Sequence, residues 1–143
     1  MSLDEKLKIL GINPLLKSQL ASMPYKATFL SDAEFDESKN ELKIIDLNDL
    51  VGMCRPDADR VENWLEALEA LEVLVYKGIN FNRYKGKEQF EKFMLNPESW
   101  AQWYPVVTLM DDKYYIEGDG KHRLTIAKCL GIKKALVIVK YPK

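Results

Sequence analysis

The sequence is poor in residues that bind soft metals or form disulfides. It has one histidine, His122, and two cysteines, Cys54 and Cys129, which stand far apart and form no CxxC pair. This composition excludes the usual structural zinc motifs, which need four closely spaced cysteine or histidine ligands. Two isolated thiols without a disulfide pattern are typical of a reducing compartment, so we expect both to be reduced and the protein to be cytoplasmic.

Long apolar runs and an excess of one charge are also missing. No stretch approaches the ~20 apolar residues of a membrane-spanning helix, and no signal peptide is recognisable, so no membrane partner is expected. The formal net charge of -1 argues against a strongly basic nucleic-acid binder. With 143 residues, 47% hydrophobic, the chain fits one globular domain over residues 1–143. Its oligomeric state is not indicated.

Residue spacing predicts several helices. Two short ones, "LDEKLKIL" and "NPLLKSQLAS", indicate an N-terminal helical extension over about residues 1–40. A longer helix is predicted from about Asp57 to Gly78, and "KEQFEKFML" predicts another with its phenylalanines facing inward. The latter lies in a long irregular segment, about residues 80–104, which we interpret as an insert.

Strands are predicted at "YKATFL" and "ELKIIDL", and "PVVTLM" and "KYYIEG" flank the polar pair Asp111-Asp112 as a β-hairpin does. A helix, "KHRLTIAKCL", then ends at Gly131 and leads into a last apolar strand, "KALVIVKY". This mixture predicts an α/β fold with a small mixed sheet and packed helices, with α+β as the alternative.

The turn between the hairpin and the last helix concentrates unusual residues. It reads "EGDGKHR", so two glycines and three cationic or potentially cationic residues, Lys121, His122 and Arg123, meet at a predicted helix start. Glycines let a backbone approach a ligand closely, and a helix start offers unpaired N–H groups and partial positive charge. Cations there oppose the helix dipole unless an anion lies among them, so the pattern predicts a phosphate site.

The stretch "YYIEGDGKHRLTIAKCLGIKKALVIV" resembles the ParB/sulfiredoxin superfamily, many of whose members read D-G-x-H-R where this chain has Asp119-Gly120-Lys121-His122-Arg123. The resemblance extends more weakly upstream to about Leu42, through "LKIIDLNDLVGMCRPDADRVENWLEAL". A sulfiredoxin activity needs a cysteine just before the His-Arg pair. Lys121 stands at that place, so this chain is not a true sulfiredoxin.

The resemblance implies a ParB N-terminal-like fold and nucleotide binding, with CTP, ATP or ADP, and Mg²⁺, as the expected cofactors. The predicted nucleotide- or phosphate-binding residues are Gly118, Gly120, Lys121, His122, Arg123 and Arg55. The catalytic candidates, which would handle a metal or a proton, are the carboxylates Glu117, Asp119 and Asp46. The leading hypothesis is a nucleotide- or phosphoester-binding domain acting as a small phosphotransferase or nucleotide hydrolase.

Two other hypotheses stay open. One is a non-catalytic, DNA-associated regulatory module whose turn binds a nucleotide or a DNA phosphate. The other is a degenerate member of the same superfamily that binds no ligand and serves as an interaction scaffold. Each residue also has a plainer role: the turn as a tight connection, His122 as a backbone prop, the acidic groups as loop caps, and Arg55 as a surface residue. In the same plainer reading, the basic run from Lys77 to Lys87 is a solvated surface rather than a nucleic-acid patch. The aromatic residues Trp100, Trp103 and Tyr104 then pack in the core rather than stack on a base.

Overall fold

The computed structural model describes residues 2–56, 58–71, 75–76, 79–80, 87–96, 104–118 and 120–143. Within them a mixed sheet of six strands packs against helices, which confirms the predicted α/β class. The strands of this sheet are β1 (Lys26–Thr28), β2 (Glu41–Asp46), β3 (Leu50–Cys54), β6 (Val106–Met110), β7 (Lys113–Ile116) and β8 (Lys134–Lys140). Two further short strands, β4 (Val75–Tyr76) and β5 (Ile79–Asn80), pair with each other.

The sheet has the order β1-β3-β7-β6-β8-β2. Its pairs β1–β3, β3–β7 and β6–β8 are parallel, whereas β6–β7 and β2–β8 are antiparallel. The first two strands of the chain therefore lie at opposite edges, and the centre comes from β3 and the C-terminal part of the sequence. The carboxyl end of β7 runs directly into the glycine turn, which this topology places beside the ends of β3 and β6.

The first two helices are defined by their caps. Helix α1 (Leu3–Leu10) starts where the Ser2 side chain accepts a hydrogen bond from an amide of the first turn, and ends at Gly11 in the left-handed region. Helix α2 (Pro14–Ala21) has Asn13 as its cap and a proline at the start. Both predicted helices are confirmed. They bury Leu7, Leu10 and Leu20 in the core, so this extension is part of the domain.

The prediction of a long helix from about Asp57 gives the wrong bounds. Helix α3 (Trp64–Ala70) begins only after Asn63, whose side chain accepts a hydrogen bond from the Glu66 amide. Ahead of it, Ala58–Arg60 forms a 3-10 turn. The apolar spacing that includes Val61 placed the predicted start of the helix too early in the sequence. The helix begins only after Asn63, two residues beyond Val61, because the Asn63 side chain caps it. Asp57 and Gly78 lie outside the described residues.

The remaining helices agree with the prediction. Helix α4 (Lys87–Leu95) buries Phe90, Phe93 and Met94, and helix α5 (Lys121–Cys129) is followed by Gly131 at positive φ. One apolar cluster joins the helices to alternate positions of the strands, such as Val107, Ile116, Val137 and Val139. Within the described residues no helix is long and apolar enough to cross a membrane.

The predicted hairpin is confirmed in detail. Strands β6 and β7 pair from Val107–Ile116 to Met110–Lys113, and Asp111 and Asp112 form the two-residue turn. Both aspartates have positive φ, 52° and 62°, as a type I′ turn requires. This hairpin fixes the register of the strand that leads into the glycine turn.

Strand β3 was not predicted, although it is central to the sheet. Its neighbour β1 runs so close to Gly52 that an added Cβ would lie 1.7 Å from the Lys26 carbonyl oxygen. Only glycine therefore permits this parallel pairing. The strand predicted at "YKATFL" is confirmed as β1, so the first 40 residues contribute a strand to the sheet besides their helices.

Candidate anion site at the start of helix α5

The glycine turn leads into α5 through a backbone that only glycine adopts readily. Gly120, the N-cap, has φ 102° and ψ 11°. The first intrahelical hydrogen bond joins the Leu124 amide to the Gly120 carbonyl at 2.8 Å. The amides of residues 121–123 therefore precede the hydrogen-bond ladder of the helix, and they form its positively polarised end.

Packing inside the protein accounts for Gly120 and limits the space at Gly118. A Cβ on Gly120 would lie 2.5 Å from the Pro105 Cβ, and one on Gly118 would lie 3.2 Å from the Val106 Cβ. Close approach to Pro105 thus requires glycine at position 120, whereas a Cβ at position 118 would need only a small shift of Val106. The glycines were predicted as phosphate-binding, but packing explains Gly120 without a ligand, so the case for a site depends on the side chains.

Arg55 lies beside the turn, as predicted, and supports its backbone. Its Nη2 atom donates a hydrogen bond of 2.6 Å to the Gly118 carbonyl oxygen. The side chain is half-buried at the end of β3, next to the carboxyl end of β7. The structure therefore assigns Arg55 a definite contact with the protein, and positioning the turn is the role that this contact supports.

The three consecutive cationic residues have different environments. Arg123 is only 2% exposed and belongs to the interior. His122 and Lys121 are half-buried. Since a guanidinium in the interior also contributes to packing, replacement of Arg123 would test stability together with binding. Lys121 lines a cavity that the described residues form.

A cavity of about 130 Å³ lies at the start of α5, and its wall combines cations with apolar groups. This volume is well above the ~10–15 Å³ that one water molecule occupies on the same kind of measure. The lining residues are Tyr25, Met53, Ala58, Arg60, Val61, Ala67, Ala70 and Lys121. The exposed Arg60, from the 3-10 turn ahead of α3, and Lys121, at the first position of α5, supply the two positive charges.

Arg60 was missed as a site residue because nothing in the local sequence connects it with Lys121, 61 positions later. Sheet topology brings the two residues to one cavity: the 3-10 turn Ala58–Arg60 follows β3, which lies next to β7 in the sheet, and β7 leads to α5. The only signal in the sequence was the segment "CRPDADR", in which Arg55 was predicted instead.

Glu117 is at the turn, but its carboxylate already has a partner. The Lys140 ammonium lies 3.2 Å from Glu117 and 3.5 Å from Glu37, with Glu117 and Lys140 both largely buried. Burial opposes the charge of Lys140, yet these two carboxylates outweigh it and raise the pKa of the lysine. Glu117 therefore stabilises the end of the sheet through Lys140, and a role as a free base is not favoured.

Asp46 does not lie at the turn, contrary to the prediction. It ends β2 opposite Lys134, and its side chain accepts a hydrogen bond from the Asn48 amide at 2.8 Å. This is the carboxyl end of α5, where Lys128 donates to the Leu47 carbonyl at 2.6 Å. A helix of 9 residues places its two ends ~13 Å apart. The antiparallel pairing of β2 with β8 causes this separation.

The predicted carboxylates Glu117 and Asp46 do not come together beside the turn, since Glu117 is paired with Lys140 and Asp46 is at the other helix end. Among the described residues no group of three or more His, Cys, Asp or Glu side chains is arranged to hold a metal. The predicted residue Asp119 lies outside the described residues, as do the basic residues at 77, 83 and 85 and the two tryptophans Trp100 and Trp103.

Comparisons with protein-family models, with curated proteins and with solved structures found no match to this chain. The ParB/sulfiredoxin resemblance therefore stays a prediction from the D-G-x-H-R motif.

Proposed function

We propose that this protein binds a phosphate-bearing ligand, a nucleotide in the first instance, through the start of helix α5. The observation that carries the proposal is that Arg60 and Lys121, the first residue of α5, line one cavity. Helix N-terminal amides and basic side chains are the usual donors to phosphate oxygens in proteins. The resemblance to a nucleotide-binding superfamily in the same turn supports this assignment.

The apolar part of the cavity strengthens the electrostatic argument. Part of the cavity is lined by uncharged, apolar side chains, those of Met53, Val61, Ala67 and Ala70. An anion that enters would therefore lose part of its contact with water. Charge–charge attraction is stronger in such surroundings than in bulk solvent. The cavity has room for a phosphate group, while ligand pockets of a drug-sized molecule reach ~300–1,000 Å³. The remainder of a nucleotide would therefore lie outside it.

The proposal is for binding and includes no chemical step. The described lining residues include two cations and a tyrosine but no carboxylate and no histidine. A phosphotransferase or hydrolase needs a group that positions the nucleophile or handles a proton, and Glu117 and Asp46 are not placed for that task. Release or transfer of phosphate must therefore be measured separately from binding.

Calorimetric titration and thermal unfolding with inorganic phosphate, pyrophosphate, ADP, ATP and CTP, each with and without Mg²⁺, test the proposal. A ligand present at 100 times its Kd should raise the free energy of unfolding by about 2.7 kcal/mol. Lys121→Gln and Arg60→Gln should each weaken binding by about tenfold or more, because each removes a charged hydrogen-bond donor. Lys133→Gln is the matched control, an exposed lysine just after the opposite end of α5.

Three results would contradict parts of the proposal. Absence of binding to every phosphate compound favours a scaffold role. Binding that Lys121→Gln and Arg60→Gln leave unchanged would place the site elsewhere. Release or transfer of phosphate during the titration would show an enzyme instead of a binding module. Electrophoretic mobility of DNA at two salt concentrations separates the DNA-associated alternative, since phosphate contacts make such binding strongly salt-dependent.

A further inference from the structure

Among the described residues, strand β2 leaves one edge of the sheet open to another strand. It pairs with β8 in an unbroken antiparallel register from Glu41–Val139 to Asp46–Lys134, and no strand of the described residues pairs with its other edge. The strand has 6 residues and contains neither proline nor a bulge, two of the features that block an edge, although it carries the charged residues Glu41, Lys43 and Asp46. Its outward N–H and C=O groups can therefore hydrogen-bond to an added strand.

The same strand carries an exposed apolar surface. Leu42 and Ile44 are each 52% exposed, although both are large aliphatic residues. Their partners on β8 are Ile138 and Leu136, which are half-buried. Residues directly opposite each other in a sheet share a face, so these four side chains form one patch across two strands. The core-facing residue of β2, Ile45, is on the other face and is 2% exposed.

The charges of β2 make the strand complementary to itself. If two copies of β2 pair antiparallel about a two-fold axis at Leu42, Glu41 of each copy lies opposite Lys43 of the other, and Leu42 lies opposite Leu42. Glu41 and Lys43 are both exposed, so their side chains are accessible to a second copy. Opposite charges on directly opposed residues stabilise strand pairing, and like charges destabilise it.

The neighbouring registers fit less well. An axis at Lys43 places two lysines opposite each other, and an axis at Ile44 places Leu42 opposite Asp46. The hydroxyl of Tyr141, which follows β8, donates to the Glu41 carboxylate at 2.6 Å and fixes the position of that carboxylate. We propose that two copies of this chain associate through antiparallel pairing of residues 41–43 of their β2 strands about Leu42, which joins the edges of the two sheets and brings the two Leu42 side chains together.

Sedimentation velocity over a dilution series tests this inference. The wild-type protein should change from twice the monomer mass of 16.6 kDa toward that mass as it is diluted. Lys43→Glu places like charges opposite each other at both symmetric positions, and we expect it to weaken association by about tenfold or more. The double variant Glu41→Lys/Lys43→Glu reverses both charges and should restore association toward the wild-type value.

Controls separate pairing from folding. Lys133→Glu makes the same charge change at an exposed position outside β2 and should leave association unchanged. Thermal unfolding of each variant at high dilution reports monomer stability, and Tyr141→Phe measures the effect of losing the Glu41 hydrogen bond alone. A protein that stays monomeric at all concentrations overturns the inference. So does a dimer that Lys43→Glu leaves intact, or one that the double variant does not rescue.

Discussion

Substitution of Gly120 by alanine tests both the left-handed backbone of the turn and its close packing against Pro105. The residue has φ 102°, and an added Cβ would lie 2.5 Å from the Pro105 Cβ and 2.7 Å from its Cα. A left-handed backbone costs a non-glycine residue ~1–2 kcal/mol, and overpacking against a rigid neighbour costs ~1–3 kcal/mol. Alanine recovers ~0.4–1 kcal/mol through the unfolded chain. We therefore expect Gly120→Ala to lower the free energy of unfolding by about 2–4 kcal/mol.

Gly11→Ala is the matched control, because Gly11 also has a positive φ, 69°, but no atom lies within 4 Å of the position that an added Cβ would take. It should lose only the backbone contribution, about 1 kcal/mol. Urea unfolding followed by tryptophan fluorescence measures both variants, and Trp64, which is fully buried, provides a signal from the core. Equal losses in the two variants would refute the contact between the turn and Pro105.

Two further predictions concern buried polar groups. Lys6 is 1% exposed and its ammonium donates to the carbonyls of Leu68, Glu69 and Leu71 at the end of α3, so Lys6→Met should lower stability by about 2–4 kcal/mol. Lys8→Met, an exposed change on the same helix, should stay within about 0.5 kcal/mol in urea unfolding, and equal stability of both variants would contradict the contact. Burial raises the pKa of the Cys129 thiol to about 12 and also raises that of Cys54. A disulfide reagent should therefore label neither thiol in the native protein at neutral pH and both in urea, and rapid native labelling would contradict their burial.

Local sequence signals were sufficient where one short segment determines its own structure. The pair Asp111-Asp112 between two apolar alternating runs predicted the hairpin, and the spacing of Phe90, Phe93 and Met94 predicted α4. The α5 helix and the β8 strand followed from Gly131, which separates them. In each case the residues that form the element, or those directly next to it, also determine where it ends.

Features that depend on distant parts of the chain were not predictable in this way. Strand β3 was missed because Gly52 weakens its strand pattern, and the reason for that glycine is a backbone contact with Lys26. Asp46 was predicted at the site and Arg60 was not, but Arg60 lines the cavity with Lys121 and Asp46 lies at the other end of α5. The order of the strands in the sheet decides this, and it cannot be read from distance along the sequence. Lys6 follows the polar spacing of a surface lysine, but it is buried against α3.

The strand order also constrains how the chain can be assembled. Strand β2 precedes β8 by most of the sequence, yet it pairs only with β8 among the described strands, and β1 needs β3. During synthesis on the ribosome β2 therefore emerges long before its partner exists, with two exposed aliphatic residues. Proteins dominated by such distant pairings fold slowly and present unpaired strands for longer. The edge of β2 that pairs with β8 therefore stays unpaired in a nascent chain until β8 has been made.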